Sequence, residues 1–428
     1  MMNKSPTLQS NTSAYYTLVI LTLVYSFNFI DRQLLAILQE SIKADLGLKD
    51  AHLGLLTGFA FAAFYVTAGI PIARWADWSN RRNIVALAVF TWSFMTSISG
   101  LAQNYIQLLL ARIGVGVGEA GGSPPSHSII SDYFPPQKRA TAMGFYSTGV
   151  NIGILFGFLL GGWLNEFFGW RLAFIVVGIP GILLAVVVRF TVAEPPRQHT
   201  PADKTRGEPL RAVLAVLWSR KSFRFIAAAA ALNAFAGYAI ANWTASFMIR
   251  SHGMETGELG TWLALILGVA GAIGVLSGGY LSDRFGKTDA RWYVWFPLIF
   301  LLISAPLSGL AFSVNSAYLA LSLLILPGTF LNAYLGNVIA VTHGLVGQNM
   351  RATASAILFF ILNIIGLGLG PWSVGLLSDF LYPTLGDASL GVALTSIVPS
   401  AMLVAAFGFY YASHYLKTDL QLAETSSL

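Results

Sequence analysis

The 428-residue chain is 55% hydrophobic and only 10% charged, with a mean hydropathy of +0.66. Soluble domains carry about 25% charged residues, so this composition excludes a soluble globular protein and indicates a helical integral membrane protein. The absence of cysteine excludes disulfide and thiolate chemistry, and the net charge of +6 arises in short loops beside apolar runs, not in a nucleic-acid-binding patch.

Residues 1–13 are polar and rich in Ser and Thr, and lack the basic patch and cleavage site of a signal peptide; a cytoplasmic tail is expected. About twelve apolar runs of spanning length follow. The first, 14–38, is interrupted by Asp31 and Arg32. The second, 53–75, runs into the polar stretch Ala73-Arg74-Trp75-Ala76-Asp77-Trp78-Ser79-Asn80-Arg81-Arg82. The third covers 84–101. The fourth, 106–130, contains Arg112 and Glu119, with Gly116, Gly118 and Gly121 between and after them. These glycines fit G-x-G-x-x-G, but a dinucleotide site needs a preceding strand and a soluble crossover unit. Close helix approach is the better account. His127, after Pro124-Pro125, reads as a gate-lining or hydrogen-bonded histidine, with a proton relay as the alternative. The fifth and sixth runs, 140–167 and 172–192, complete an N-terminal bundle over 14–192.

Residues 193–222 form a polar linker with no room for a nucleotide-hydrolysing domain, so an ATP-driven pump is not expected. A C-terminal bundle over 223–416 holds runs at 223–249, 259–281, 292–312, 317–345, 352–377 and 390–416, and a tail at 417–428 ends the chain. Its spans carry Asn233, Tyr238, Asn242, Asn332, Asn337 and Asn363 among many aromatics, but no acid or base near their centres. One charged wall would then face one apolar, weakly polar wall, with these six residues on the second. No metal-ligand spacing and no nucleophile–base motif stands out; neither a cofactor nor enzymatic chemistry is expected.

The halves repeat. Lys138-Arg139-Ala140-Thr141-Ala142 opens the fifth run, and Met350-Arg351-Ala352-Thr353-Ala354 opens the eleventh. The stretch ending the second run matches Gly279-Tyr280-Leu281-Ser282-Asp283-Arg284-Phe285-Gly286-Lys287, which ends the eighth. Basic residues, Lys4 and the linker bases among them, gather on the side that holds both termini and the linker, which the positive-inside rule makes cytoplasmic. Two six-helix bundles around such a linker are the architecture of the major facilitator superfamily, and the second loop resembles that superfamily's loop signature. The expected fold is therefore all-α, with twelve transmembrane helices in two bundles. In this pattern the loop charges form a conformational latch of Asp77, Arg81, Arg82, Arg139, Asp283, Arg284 and Arg351, with Asp77 facing the eleventh span and Asp283 the fifth. Each acid would meet the positive end of a helix dipole, worth about 0.3–1 kcal/mol when exposed.

The four charges inside spans carry the functional expectation, since a charge at the bilayer centre costs about 2.5–3.5 kcal/mol on insertion scales. Arg112 and Glu119 are seven residues apart and share a helix face. Cross-pairing of Asp31 with Arg112, and of Arg32 with Glu119, would neutralise the cluster. Protonating one acid frees one arginine, whose guanidinium fork suits a phosphate or carboxylate. The alternative is a structural salt-bridge network that ties the first and fourth spans together.

Asn28-Phe29-Ile30-Asp31-Arg32, Arg112 with Gly116-Val117-Gly118-Glu119-Ala120, and Phe134-Pro135-Pro136-Gln137-Lys138-Arg139-Ala140-Thr141-Ala142 resemble Spinster proteins of this superfamily, most closely a bacterial member. The resemblance implies Asp31 and Glu119 in proton coupling and Arg32 and Arg112 in headgroup binding. It also implies a substrate such as a lysophospholipid or a sphingolipid phosphate of the sphingosine-1-phosphate type. The chain is thus expected to be a monomeric, proton-coupled, alternating-access transporter of an amphipathic anion in a bacterial inner membrane, surrounded by membrane lipids and with no nucleic-acid partner. An organic-anion or drug–proton transporter, or a non-transporting membrane receptor, are the alternatives.

Overall fold

The computed structural model describes residues 11–196 and 208–426. The expectations for residues 1–10, for 197–207 of the linker and for 427–428 lie outside the described residues. The described chain is helical, without strands.

Six spans make the first bundle. They are α1 (Asn11–Leu46), α2 (Asp50–Trp78), α3 (Arg81–Ser99), α4 (Tyr105–Glu119, resumed as Ser123–Tyr133), and α5 and α6, which share the segment Pro136–Thr191. Gly169 separates the last two. Its φ of +80° is one that residues with a side chain rarely adopt, and it reverses the chain between 136–168 and 170–191. A short linker helix, α7 (Leu210–Ser219), leads to the second bundle. That bundle comprises α8 (Lys221–His252), α9 (Thr256–Gly286), α10 (Trp292–Ala311), α11 (Ala317–Gly344), α12 (351–385) and α13 (Ser389–Ser426). The helix of α13 continues through the tail expected from residue 417. Twelve spans return both ends to one face, called here the terminal face; the opposite one is the far face.

Close helix contact between the bundles is concentrated toward the far face, where glycine removes the side chain that would block it. A methyl group on Gly54 would sit 2.6 Å from the Pro371 carbonyl oxygen, and one on Gly58 would sit 2.7 Å from that of Gly368, so α2 and α12 touch backbone to backbone. Gly162 and Gly260 bring α5 against α9 in the same way. Three stretches along these seams widen into π-helical turns: Leu55–Phe59 in α2, Ala264–Ala270 in α9 and Leu362–Leu369 in α12. The larger apolar core runs continuously from Leu34 and Phe158 of the first bundle through Trp243 to Phe409 of the second. A smaller core around Leu21, Phe61, Trp92 and Tyr146 belongs mainly to the first bundle.

Candidate functional site

α1, α2, α3 and α4 bring the four intramembrane charges into one neighbourhood. Gly116 and Gly118 make this possible. A Cβ on Gly116 would lie 3.1 Å from the Phe61 carbonyl oxygen, and one on Gly118 would lie 2.8 Å from the Trp92 nitrogen. α4 therefore seats itself against α2 and α3 on its backbone. After Glu119 the helix breaks, and Pro124-Pro125 begin its second part, as prolines do in a first helical turn.

Arg32 and Glu119 form the expected pair. Arg32 Nη2 lies 2.7 Å and Nε 2.8 Å from the same oxygen, Glu119 Oε2. The Arg32 side chain keeps 13% of its surface accessible, whereas that of Glu119 keeps none. Glu119 Oε1 is buried without a hydrogen-bond partner.

The other expected pair, Asp31 with Arg112, is not made. Asp31 is buried and accepts a hydrogen bond from Thr96 Oγ1 of α3 at 2.9 Å. Arg112 is 1% exposed, and its Nε and Nη1 have no hydrogen-bond partner. Its guanidinium instead lies 5.7 Å from the centre of the Phe61 ring, over which Arg32 also sits at 4.8 Å. Phe61 thus takes both cations through its π cloud, an attraction worth about 2 kcal/mol or more when desolvated. Phe29 and Tyr65 add their rings to Arg32, at 4.9 and 5.2 Å.

From the second bundle, Tyr238 of α8 lies near enough to Arg32, Glu119 and Tyr65 to interact electrostatically with each. Of the other residues expected on this wall, Asn242 and Asn363 turn back to their own helices, donating to the Tyr238 and Phe359 carbonyls at 2.8 Å each. Asn233 donates to the Leu331 carbonyl at 3.3 Å, Asn332 is exposed beside Gly271, and Asn337 is buried with its Nδ2 unpartnered. The structure thus brings Tyr238 to the charges, and ties Asn233, Asn242 and Asn363 to backbone.

At the terminal face, Asp77 and Asp283 are both exposed. Asp283 accepts from the Tyr293 hydroxyl of the adjacent α10 at 2.9 Å, Arg284 reaches Tyr280 at 3.4 Å, and Arg351 is exposed. Arg81 and Arg82 make contacts inside the first bundle instead of across to the second. Arg81 binds Asp132, Glu194 at 2.8 Å and the Pro195 carbonyl at 3.1 Å. The Arg82 backbone N–H donates to Glu194 at 2.8 Å, so Glu194 caps the start of α3. Arg139 donates to the Ser131 and Phe134 carbonyls at 2.9 and 3.1 Å.

The far face holds a second charge network that sequence reasoning missed. Arg250, at the end of α8, binds Glu40 of α1 at 2.6 and 2.8 Å and both oxygens of Asp50 of α2 at 2.7 Å. Lys43 and Ser378 complete the Asp50 shell at 2.7 Å each. Asp379 of α12 accepts the backbone N–H groups of Asp50 and Ala51 at 3.0 and 2.8 Å, closing the α2 N-terminus against the other bundle. Phe61, Tyr65 and Thr96 were also missed. Thr96 carried a weak signal, since Ser93, Thr96 and Ser99 repeat every three residues along α3.

The sequence profile of the Major Facilitator Superfamily matches residues 21–371. Among solved structures, the chain is similar to a bacterial homologue of the human lysosomal transporter Spinster in an inward-facing, unoccupied conformation. The TM-score is 0.82 at 33% identity, covering 97% of this chain and 99% of that one. Among curated proteins, it is 35% identical to an MFS-type efflux pump of Mycolicibacterium smegmatis, over 95% of this chain and 94% of the relative. It is 26% identical to protein spinster homolog 1 of Xenopus laevis, over 94% and 80%. The resemblance to Spinster proteins and the twelve-span, all-helical architecture therefore stand together: the chain is a multi-pass membrane protein that belongs to the Major Facilitator Superfamily of transporters, with a bacterial Spinster homologue among its structural neighbours.

Proposed function

We propose that this transporter couples proton movement to the passage of an amphipathic anion, with Arg32 as the headgroup contact and Glu119 as the competing carboxylate. The observation that carries the proposal is the asymmetry of their pair: an arginine side chain that keeps 13% of its surface accessible, held by a fully buried carboxylate through a single oxygen. A phosphate or carboxylate entering at Arg32 displaces Glu119. Protonating Glu119 makes the displacement easier, because the proton replaces the charge that Arg32 withdraws. Asp31 supplies a second protonatable carboxylate, and Arg112, behind Phe61, keeps the neighbourhood cationic. The aromatic faces of Phe29, Phe61, Tyr65 and Tyr238 around Arg32 suit a substrate with an apolar portion, and a lysolipid or sphingolipid phosphate meets that description.

The bundles rock about this site. The terminal face is taken as the cytoplasmic side of a bacterial inner membrane, on the positive-inside argument. The arrangement described is then closed outward and open inward, with Asp283 held by Tyr293 of its own bundle and the chain acting as a monomer.

Flux into proteoliposomes under an imposed pH gradient tests the proposal. Proton-driven flux of a lysolipid or sphingolipid phosphate, competed poorly by short-chain anions, is the expected result. Equal competition by short-chain anions would replace the lipid with a small organic anion, a reading favoured by the 27% identity to a hexuronate transporter of Bacillus subtilis and the 26% identity to a D-galactonate transporter of Escherichia coli. No flux across a broad panel of lipids and anions would favour the receptor reading.

A further inference from the structure

The linker helix α7 carries two apolar strips, and only one is used. Val213 and Leu217 are fully buried where α7 packs on α8 and on the first turns of α12. Leu210, Leu214 and Trp218, spaced by four, form a second strip that faces outward at 58%, 40% and 61% exposure. Water would penalise such a strip, whereas a bilayer interface accommodates it, and tryptophan is enriched there.

Basic residues outnumber acids around the strip: the acids are Glu208, exposed just before α7, and Asp419, whose Oδ2 accepts from the Ser222 N–H and hydroxyl at 2.7 and 2.6 Å. Arg211 lies on the same side of α7 as Trp218, two turns before it, and Lys221 and Arg224 open α8 directly after the helix. All three are exposed, and none has a carboxylate partner among the described residues. Lys221 sits 5.2 Å from the centre of the Tyr415 ring, and Phe225 stacks on the same ring at 5.9 Å, which makes an aromatic floor under the cation.

We propose that α7 and the first turn of α8 form a docking surface for anionic phospholipid headgroups of the terminal-face leaflet, with Leu210, Leu214 and Trp218 in the acyl boundary and Arg211, Lys221 and Arg224 on the phosphates. Charge complementarity selects this occupant over a zwitterionic lipid. Because α7 packs on the first turns of α12, a lipid held there bears on the same helix that closes the far face through Asp379. The surface is remote from Arg32 and Glu119, so the proposal is independent of what the carrier transports.

The test uses the full chain in nanodiscs and the fluorescence of Trp218, taken as the difference between wild type and Trp218→Phe. Brominated phosphatidylglycerol is expected to quench that difference signal at several-fold lower mole fraction than brominated phosphatidylcholine. Each of Arg211→Gln, Lys221→Gln and Arg224→Gln should lower the preference about fivefold. Equal quenching by the two lipids, or a preference that survives all three substitutions together, overturns the proposal. If the triple variant does not fold, the three single variants carry the same comparison, and an unchanged preference in each is the contrary result.

Discussion

Glu119 and Thr96 carry the predictions that belong to single residues. Glu119→Gln removes the carboxylate that holds Arg32, so proton-driven uptake is expected to be lost while substrate exchange between the two sides is largely retained. Equal loss of both, with poor folding, would return the cluster to a purely structural role. Thr96→Val deletes the donor to a fully buried acid. It should destabilise the protein by about 1–3 kcal/mol, read as a lowered Tm, because the Asp31 oxygen is left without its partner. The Arg32–Glu119 pair was legible in the sequence because only four charges interrupt the first and fourth spans. The expected Asp31–Arg112 pair failed for a local reason. Counting along helices gives depth and face, but not that a third helix offers a hydroxyl to the acid, or that one phenylalanine ring takes two guanidinium groups.

Among the elements, α4 depends most visibly on its glycines. Gly118→Ala forces a methyl group to 2.8 Å from the Trp92 nitrogen, a backbone atom that cannot step aside. Overpacking of this kind costs about 1–3 kcal/mol and should shift α4 away from α3, measurable as a lowered Tm together with weaker substrate binding. The loop after α9 supplies a pH test away from the membrane. Hydrogen bonds from Arg291 hold the Asp289 carboxyl well below its usual range, and Lys417 of α13 joins it at 2.9 Å. A lowered pKa adds stability that is present above the ordinary carboxylate pKa and disappears as pH falls through the lowered value. Asp289→Asn should therefore lower Tm slightly at neutral pH and not at strongly acid pH. The sequence placed Arg81 and Arg82 in a latch between bundles because their spacing repeats a signature. Their actual partners, Asp132 and Glu194, lie about 50 and 112 residues away in the chain, and periodicity cannot register contacts of that kind.

For the whole molecule, twelve spans and two bundles could be read from apolar runs, because a bilayer leaves the chain few alternatives. The state of the carrier could not, since it is decided by contacts between bundles that no single span encodes. Arg250 illustrates this: a lone basic residue at the end of a span, it becomes the tie between α8, α1 and α2. Arg250→Ala leaves Glu40 without its counter-charge and Asp50 with Lys43 alone, and it removes the tie from α8 to both. Removing one partner of a buried ion pair costs about 3–5 kcal/mol, here paid by the closed far face. The chain has no native cysteine, so a single Phe59→Cys probe beneath that face reports on it. Labelling from the far side should be slow in the wild-type background and many-fold faster with Arg250→Ala. An unchanged rate would mean that the glycine contacts alone hold the face shut.

The π-helical turns of α2, α9 and α12 lie at those glycine contacts: Gly58 and Gly368 sit within two of them, and Gly268, against Leu155, within the third. A turn with one residue too many is slack. Its hydrogen bonds can tighten by one register, which swivels the far end of the helix about its own axis without a kink. Each seam then behaves as a swivel bearing, and the far ends can part while the helices stay whole. Hydrogen exchange should show it: amides at 55–59, 264–270 and 362–369 should exchange faster than those a turn to either side, and a ligand that locks either conformation should slow all three together.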